Sequence, residues 1–289
     1  MLVSMKEMLA DAKKNHYAIP AFDISNYDMM KAVLETCEEE GSPALLMALE
    51  PDLQGRDMSL MAAMVRGASD HFRIPVCFHL DHATDFEYIR RASDAGFSSV
   101  MFDGSALPFE ENAARTAAIT AFAHSRGITV EAELGRVGNA QVGNIKDSVR
   151  NENPEDTLTL PEEVARFVNL TDVDALAIAI GTAHGVYEKT PTLRIDRLDE
   201  ITAVCDRPLV LHGGSGTPDD QIKEAIRHGI TKINIFSDVV GAMNAGLKVK
   251  LNNLTNPSTW PAFVFDDARK MMKNVVREKI HTFGSAGRL

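Results

Sequence analysis

Short apolar runs alternate with amphipathic stretches eight times along the chain. Runs of this length, in which successive residues are apolar, are typical of strands buried on both faces of a parallel sheet. The stretches between them carry apolar residues at helical spacing, and several end in glycine after a charged turn, as helices often do. The predicted strands are residues 19–23, 43–49, 75–81, 98–104, 128–134, 175–181, 208–214 and 232–237.

Eight strand–helix units in 289 residues predict an α/β fold, a (β/α)8 or TIM barrel, in a single domain over residues 1–289. A doubly wound open sheet is the alternative. Two polar segments interrupt the alternation, at residues 136–160 after the fifth predicted strand and at residues 252–262 before the last helix. A loop as long as the first is usually functional or disordered.

Composition narrows the range of functions. The formal net charge of −11 argues against binding to nucleic acid or to an anionic membrane. No segment has the apolar length of a membrane span or the apolar core of a signal peptide. The three cysteines, Cys37, Cys77 and Cys205, are odd in number and far apart, unlike a disulfide framework. We therefore expect a cytoplasmic protein.

Three histidines, His82, His184 and His212, end or closely follow three of the predicted strands. The carboxyl ends of barrel strands meet at one face, where the active sites of such barrels lie. Three imidazoles on one rim can bind zinc and leave a fourth position open. The pattern favours a metal-dependent lyase over a binding module.

Five short motifs distributed over the barrel strands resemble those of one enzyme family. They are LDH at 80–82, EAELG at 131–135, GTAHG at 181–185, LHGGSG at 211–216 and KIN at 232–234. Together they resemble the class II, zinc-dependent ketose-bisphosphate aldolases, which act on fructose or tagatose bisphosphates. The resemblance covers essentially the whole chain. It implies reversible cleavage of a phosphorylated ketose to glycerone phosphate and an aldehyde.

The resemblance also implies roles for particular side chains. The implied zinc ligands and metal-side carboxylates are His82, His184, His212, Glu133 and Asp103. Bound Zn²⁺ would act on the ketose carbonyl as a Lewis acid. Asp81 is implied as the base that takes the proton from the C4 hydroxyl. Its alternative role is to orient a neighbouring histidine. A monovalent cation is a further candidate cofactor.

Glycine-rich turns after the last three predicted strands form a candidate phosphate site. Backbone amides in such turns bind phosphate without side-chain charge, which suits an acidic protein. The alternative is that HGGSG is only a tight turn. The candidate phosphate-binding residues are Gly185, Gly213, Gly214, Ser215, Asn234, Ile235, Phe236 and Ser237.

The polar loop departs from the family's usual pattern. In many relatives a glutamate eight residues past the metal-side glutamate exchanges the C3 proton of the triose. That position is Gln141 here, and an amide cannot act as a base. Acidic residues of the same loop could replace it, namely Asp147, Glu152, Glu155 and Asp156.

The distal phosphate site differs as well. Relatives that use bisphosphates often carry arginines just before the last helix, and these arginines reach across the oligomer interface. Ala262 and Asp266 align with those arginines, and Arg269 is the nearby substitute if the alignment shifts by a helical turn. An aspartate at this position would repel a second phosphate.

The barrel mouth is also unusual, because Asp23 replaces the usual asparagine, and Leu49, Glu50 and Phe236 replace small or polar residues. Lys189 is a candidate for neutralising the site. The candidate substrate-pocket residues are thus Asp23, Glu50, Lys189 and Gln141. These differences suggest a ketose 1-phosphate aldolase whose aldehyde product is not phosphorylated, as the alternative to a bisphosphate aldolase.

Two other functions compete. A metal-dependent epimerase or isomerase would leave carbon–carbon bonds intact, and it would have no need of Asp81 as a base for the C4 hydroxyl. A non-catalytic protein that binds zinc and sugar phosphate is favoured by Gln141. The expected partners are a small sugar phosphate and other copies of this chain, in a homodimer or homotetramer, with no nucleic acid and no membrane.

Overall fold

The computed structural model describes residues 2–139, 157–187 and 189–289. Its strands closely match the predicted ones, most ending within two residues of the prediction. They are β1 Ile19–Asp23, β2 Ala44–Ala48, β3 Val76–Ala83, β4 Ser99–Phe102, β5 Thr129–Leu134, β6 Gly138–Asn139, β7 Ala175–Ile178, β8 Ala183–His184, β9 Leu209–Leu211 and β10 Ile230–Ile235.

Helices connect these strands over the described ranges. They are α1 Met5–Asn15, α2 Tyr27–Glu39, α3 Asp57–Ser69, α4 Phe86–Ala95, α5 Phe109–His124, α6 Pro161–Thr171, α7 Ile195–Val204, α8 Asp219–Arg227, α9 Ser237–Asn252, α10 Pro261–Val264 and α11 Asp266–Phe283, with a 3-10 helix at Glu50–Leu53. Several have the expected caps. Asn26 accepts the Met29 amide at the start of α2, and Gly96 ends α4 with φ 97°.

Eight of the described strands form a closed parallel barrel, in the order β1-β10-β9-β7-β5-β4-β3-β2. Closure is complete because β1 pairs with β10 on one side and with β2 on the other. This confirms the predicted (β/α)8 fold and excludes the open sheet. The short strands β6 and β8, which the sequence pattern did not predict, pair with each other outside the barrel.

The apolar core has two layers. The larger one lies between the strands and the surrounding helices. The smaller one fills the barrel with alternate strand residues, such as Ile19 and Ala21 of β1. Met5 and Leu9 of α1 belong to this inner cluster and are fully buried. α1 therefore plugs the barrel interior beneath the polar side chains described next.

All three cysteines are free and buried. In the part of the chain that the structure describes, no helix is both long enough and apolar enough to cross a membrane.

Candidate active site

A cavity of about 410 Å³ opens among the carboxyl ends of the barrel strands. It contains most of the residues that the sequence places at this face. Its lining residues are Asp23, Leu49, Asp81, His82, Asp103, Ser105, Ala106, Glu133, Arg136, Val137, His184, Gly185, Gly213, Ser215, Asn234, Phe236 and Ser237.

The backbone of His82 is in the left-handed region, with φ 48°. Successive residues of a regular strand point to opposite faces, so Asp81 and His82 could not otherwise both face the cavity. The pairing of β3 with β4 shifts register between Leu80 and Ala83, which accommodates this turn. Left-handed backbone is costly for a histidine and is concentrated at functional sites. The irregularity brings Asp81 and His82 into one cavity.

The three predicted metal-binding histidines converge. The ring centroid of His82 lies 4.7 Å from that of His184 and 4.5 Å from that of His212. One ring nitrogen from each residue lies within 4.8 Å of the other two. Nε2 of His82 and Nδ1 of His212 are buried without a hydrogen-bond partner. Buried polar atoms are normally satisfied, so unsatisfied nitrogens that converge fit a metal ion.

Asp103 lies behind His82. Nδ1–H of His82 donates to Oδ2 of Asp103 at 2.9 Å, and the Ser105 amide donates to Oδ1 at 3.0 Å. Burial raises the pKa of Asp103, but the hydrogen bond from His82 outweighs it and holds the pKa below its usual value. An ionised Asp103 fixes the His82 tautomer and directs Nε2 toward the other histidines.

Glu133 lies on the other side of the cluster. Its Oε1 accepts the Val137 amide at 3.1 Å, and its Oε2 lies 3.4 Å from Nδ1 of His212. Glu133, His82 and Asp103 each offer one possible ligand atom, and these three atoms lie within 4.8 Å of one another. The second oxygen is therefore available to a metal ion or to substrate.

Asp81 is buried and is held by Asn234. The Asn234 side-chain amide donates to the two carboxylate oxygens at 3.2 and 3.3 Å. Burial raises the pKa of Asp81, but the positive charges of His82, His212 and Lys232 outweigh it and lower the pKa below its usual value. Asp81 is thus ionised at neutral pH, as a base must be.

Asp23 is 3% exposed, and its Oδ1 has no hydrogen-bond partner. Burial and the nearby charge of Asp81 raise its pKa well above the usual value. The cavity therefore holds two carboxyl groups that favour opposite protonation states.

The candidate phosphate site lies where the turn at Gly213 meets the turn at Ala183. Gly213 has φ 67°, and a Cβ there would lie 2.4 Å from the Ala183 carbonyl oxygen. Tyr187 links these turns, because its hydroxyl donates to the Gly213 carbonyl at 2.7 Å and accepts the Ala183 amide at 2.9 Å. The hydroxyl of Ser215 accepts the Phe236 amide at 3.2 Å, beside the start of α9. Gly213 and Ser215 line the cavity, whereas Gly214 and Ile235 lie behind its wall.

Several predicted pocket residues lie elsewhere. β2 ends at Ala48, so Leu49 reaches the cavity wall and Glu50 begins the 3-10 helix outside it. Lys189 is exposed and is also outside the wall. Gln141 and its four acidic substitutes lie outside the described residues.

The distal arginine proposed from the sequence has another role. Arg269 forms ion pairs with Asp28 and, at 2.6 Å, with Asp266, and it donates to the Ala262 carbonyl at 2.6 Å. It ties the start of α11 to α2 and does not line the cavity. Within this chain Arg269 therefore contacts α2 and the segment before α11, and its reach to a distal phosphate across an oligomer interface stays a prediction.

Sequence reasoning missed four residues near the site. Arg136 lines the cavity, Tyr187 joins the turns, and Glu131 and Lys232 form a buried ion pair with Nζ–Oε2 2.9 Å. The sequence did give one indication of Glu131 and Lys232, since both are charged residues inside apolar strands. Burying a charged group without a partner is costly, so such residues indicate a buried pair.

Comparison with known proteins gives the same picture. Residues 3–288 match the family model described as fructose-bisphosphate aldolase class-II. The YdjI aldolase of Escherichia coli K12 is 33% identical, with a TM-score of 0.87 over 100% of this chain and 99% of that one. A Coccidioides immitis protein assigned as a fructose-1,6-biphosphate aldolase is 30% identical, with a TM-score of 0.86 over 98% and 96%.

A more distant structure, the fructose-bisphosphate aldolase of Campylobacter jejuni, is 21% identical, with a TM-score of 0.82 over 100% of this chain and 97% of that one, and it shows the fold alone. The fold and the family match together define an enzyme of the aldolase type, a lyase. The chain belongs to the class II fructose-bisphosphate aldolase family.

Proposed function

We propose that this protein is a zinc-dependent aldolase that reversibly cleaves a phosphorylated ketose into glycerone phosphate and an aldehyde. The observation that carries the proposal is the convergence of nitrogens from His82, His184 and His212 beside the buried carboxylate of Asp81. Three imidazoles and an open position are the donor set of a catalytic zinc site. When bound, zinc would supply Lewis-acid polarisation of the ketose carbonyl.

Asp81 is the proposed base. During cleavage it accepts the proton of the C4 hydroxyl as the C3–C4 bond breaks, and during condensation it returns that proton. Asn234 orients the carboxylate through hydrogen bonds of 3.2 and 3.3 Å. The same carboxylate argues against an epimerase or isomerase, which breaks no carbon–carbon bond.

The glycine turns are the proposed phosphate site. Gly185, Gly213 and Ser215 line one wall of the cavity, and Ser237 opens α9 beside them. Amides of such turns and the N-terminus of a helix attract a phosphate dianion. The phosphate at C1 of the ketose would thereby place the carbonyl near the histidines.

The charge of the cavity wall favours a second candidate, a ketose 1-phosphate with no distal phosphate. The described cavity wall carries four carboxyl groups, Asp23, Asp81, Asp103 and Glu133, against one guanidinium, Arg136. Leu49 and Phe236 add apolar surface. A second phosphate would meet more negative than positive charge, whereas hydroxyl groups can hydrogen-bond to carboxylates.

The experiment is retro-aldol turnover on a panel of ketose phosphates, with enzymatic detection of glycerone phosphate. The panel pairs 1-phosphates with 1,6-bisphosphates in both C4 configurations. Release of glycerone phosphate from any member supports an aldolase, and faster turnover of 1-phosphates supports the second candidate. Zinc binding without turnover on any member would favour a non-catalytic sugar-phosphate binder.

We further propose a cytoplasmic homodimer or homotetramer. Three free, buried thiols suit a reducing compartment. Light scattering on the purified protein tests the assembly.

A further inference from the structure

A buried polar cluster lies inside the barrel beneath the proposed zinc site. Lys232 donates to both oxygens of Glu131, at 2.9 and 3.1 Å, and Nε2 of His212 lies 2.9 Å from Oε1 of the same carboxylate. Each of the three side chains is 0% exposed. Glu131 and Lys232 do not line the active-site cavity and have no part in the proposed proton transfer.

Glu131 is charged despite its burial. Both of its oxygens accept hydrogen bonds from the Lys232 ammonium, which is the arrangement of a carboxylate and not of a protonated carboxyl group. A buried carboxylate without a cation is strongly destabilising, so Lys232 keeps Glu131 in its ionised form.

An ionised carboxylate only accepts hydrogen bonds, so Nε2 of His212 must carry a hydrogen when it contacts Glu131. The lone pair of the neutral ring then lies on Nδ1, the nitrogen without a hydrogen-bond partner. We infer that Glu131, held by Lys232, is a positioning residue that fixes the tautomer and ring orientation of His212, so that Nδ1 is presented to the metal. This inference rests on the proposed zinc-dependent function.

Glu131 could instead be a ligand of a second ion, because His79, Asp81 and Glu131 also offer atoms within 4.8 Å of one another. Lys232 argues against that alternative. Its ammonium already contacts both Glu131 oxygens and supplies the positive charge that a second ion would bring. A cation added beside it would be repelled at short range.

The test compares two double variants that remove the ion pair and preserve side-chain volume. Glu131→Gln with Lys232→Met keeps a hydrogen-bond acceptor for His212, whereas Glu131→Leu with Lys232→Met does not. Replacing both members of a buried pair avoids an uncompensated charge, so both variants are expected to fold. Circular dichroism and the Tm of the ion-free proteins check this.

Three readouts follow the metal site directly: zinc affinity by competition with a chelator, the visible spectrum of the Co²⁺-loaded protein, and the ¹H–¹⁵N correlations of His212. We expect the Leu variant to bind zinc about 10–100-fold more weakly than wild type, with an altered Co²⁺ spectrum. The Gln variant should stay within about threefold of wild type and keep the Nε2–H of His212.

Wild-type zinc affinity in the Leu variant would overturn the inference. So would equal losses in both variants, because charge rather than the hydrogen bond would then matter. If the wild type binds neither ion, the proposed function fails. The inference is then decided by the ion-free wild type at a pH where the His212 ring is neutral: a hydrogen on Nδ1 overturns it, and a hydrogen on Nε2 supports it.

Discussion

The side-chain amide of Asn234, near the end of β10, lies against the carboxylate of Asp81, near the end of β3, with N–O distances of 3.2 and 3.3 Å. The two strands are not neighbours, because β1 and β2 separate them in the barrel. The contact therefore spans the barrel and fixes the direction of the proposed base.

Replacement of Asp81 by alanine should lower kcat by about 10²–10⁴-fold, the usual contribution of a positioned base. The zinc content should not change, because the three histidines remain. Steady-state retro-aldol kinetics and metal analysis measure both quantities.

Asn234→Ala is the matched variant for Asp81→Ala. It keeps the base and removes its orientation, so its kcat should lie between those of the wild type and Asp81→Ala. A turnover of Asp81→Ala close to wild type would exclude Asp81 as the base.

Removal of the metal should destabilise the fold. An ion that binds only the native state at about 100 times its Kd adds about 2.7 kcal/mol to the free energy of unfolding. Chelation should therefore lower the Tm of the wild type, and added Zn²⁺ should restore it. His184→Ala should show no such zinc-dependent shift. A zinc effect of equal size in that variant would contradict the three-histidine site.

Zinc binding should strengthen with rising pH. Burial opposes protonation of His212, but the carboxylates of Glu131, 2.9 Å from Nε2, and Glu133, 3.4 Å from Nδ1, outweigh it and raise the pKa to about 10 without the ion. A ligand histidine must release its proton, so protons compete with zinc below that pH. Competition titrations at pH 6 and pH 8 should show the weaker affinity at pH 6. Equal affinities would show that His212 binds zinc without losing a proton.

Gly213→Ala should impair phosphate binding. The left-handed backbone costs alanine roughly 1–2 kcal/mol, and its Cβ would also collide with the Ala183 carbonyl at 2.4 Å. We expect KM for the ketose phosphate to rise by about tenfold or more, because the turn must move. Gly127→Ala is the control, since Gly127 has φ 70° and a Cβ added there would meet no atom within 4 Å. Equal KM values in the two variants would contradict the assigned phosphate turn.

Asp23→Asn should stabilise the protein at neutral pH. Burial, and to a lesser degree the charge of Asp81, raises the pKa of Asp23 in the folded state above the usual 3.8. At pH values between the unfolded and the folded pKa, the native state therefore binds more protons than the unfolded state. Wild-type stability therefore falls as pH rises from about 4, by up to about 1.4 kcal/mol per pH unit. Urea unfolding with chelator present, at pH 5 and pH 7.5, should show a larger advantage of Asp23→Asn at pH 7.5. No change in that advantage with pH would contradict the raised pKa.

The barrel was predictable because buried parallel strands read as continuous apolar runs, and all eight runs became strands of the closed barrel. The residues at the mouth of the barrel could be predicted because the carboxyl ends of barrel strands lie at the same face. His82 could be placed there from the sequence, but its left-handed backbone could not, because it depends on a local register shift between β3 and β4.

Side-chain partners were less predictable than positions. The contact of the Asn234 amide with Asp81 was not predicted, and a role of Asn234 in phosphate binding stays a prediction. Glu131 and Lys232 are 101 residues apart, so no local pattern indicates that they pair. Glu50 lies outside the cavity because it follows Leu49, which lines the cavity wall, and already belongs to the 3-10 helix. Such outcomes depend on barrel register and loop geometry, which the sequence pattern does not specify.

The central claim is that zinc, held by three histidines, and Asp81 together cleave a phosphorylated ketose. Its most direct measurement is the rate of glycerone phosphate release as zinc is titrated into the ion-free wild type and into Asp81→Ala. We expect the wild-type rate to rise to a plateau at one zinc per chain, and the variant to bind the same zinc with at most about 1% of that rate. Release that is independent of zinc, or equal in the two proteins, would contradict this claim.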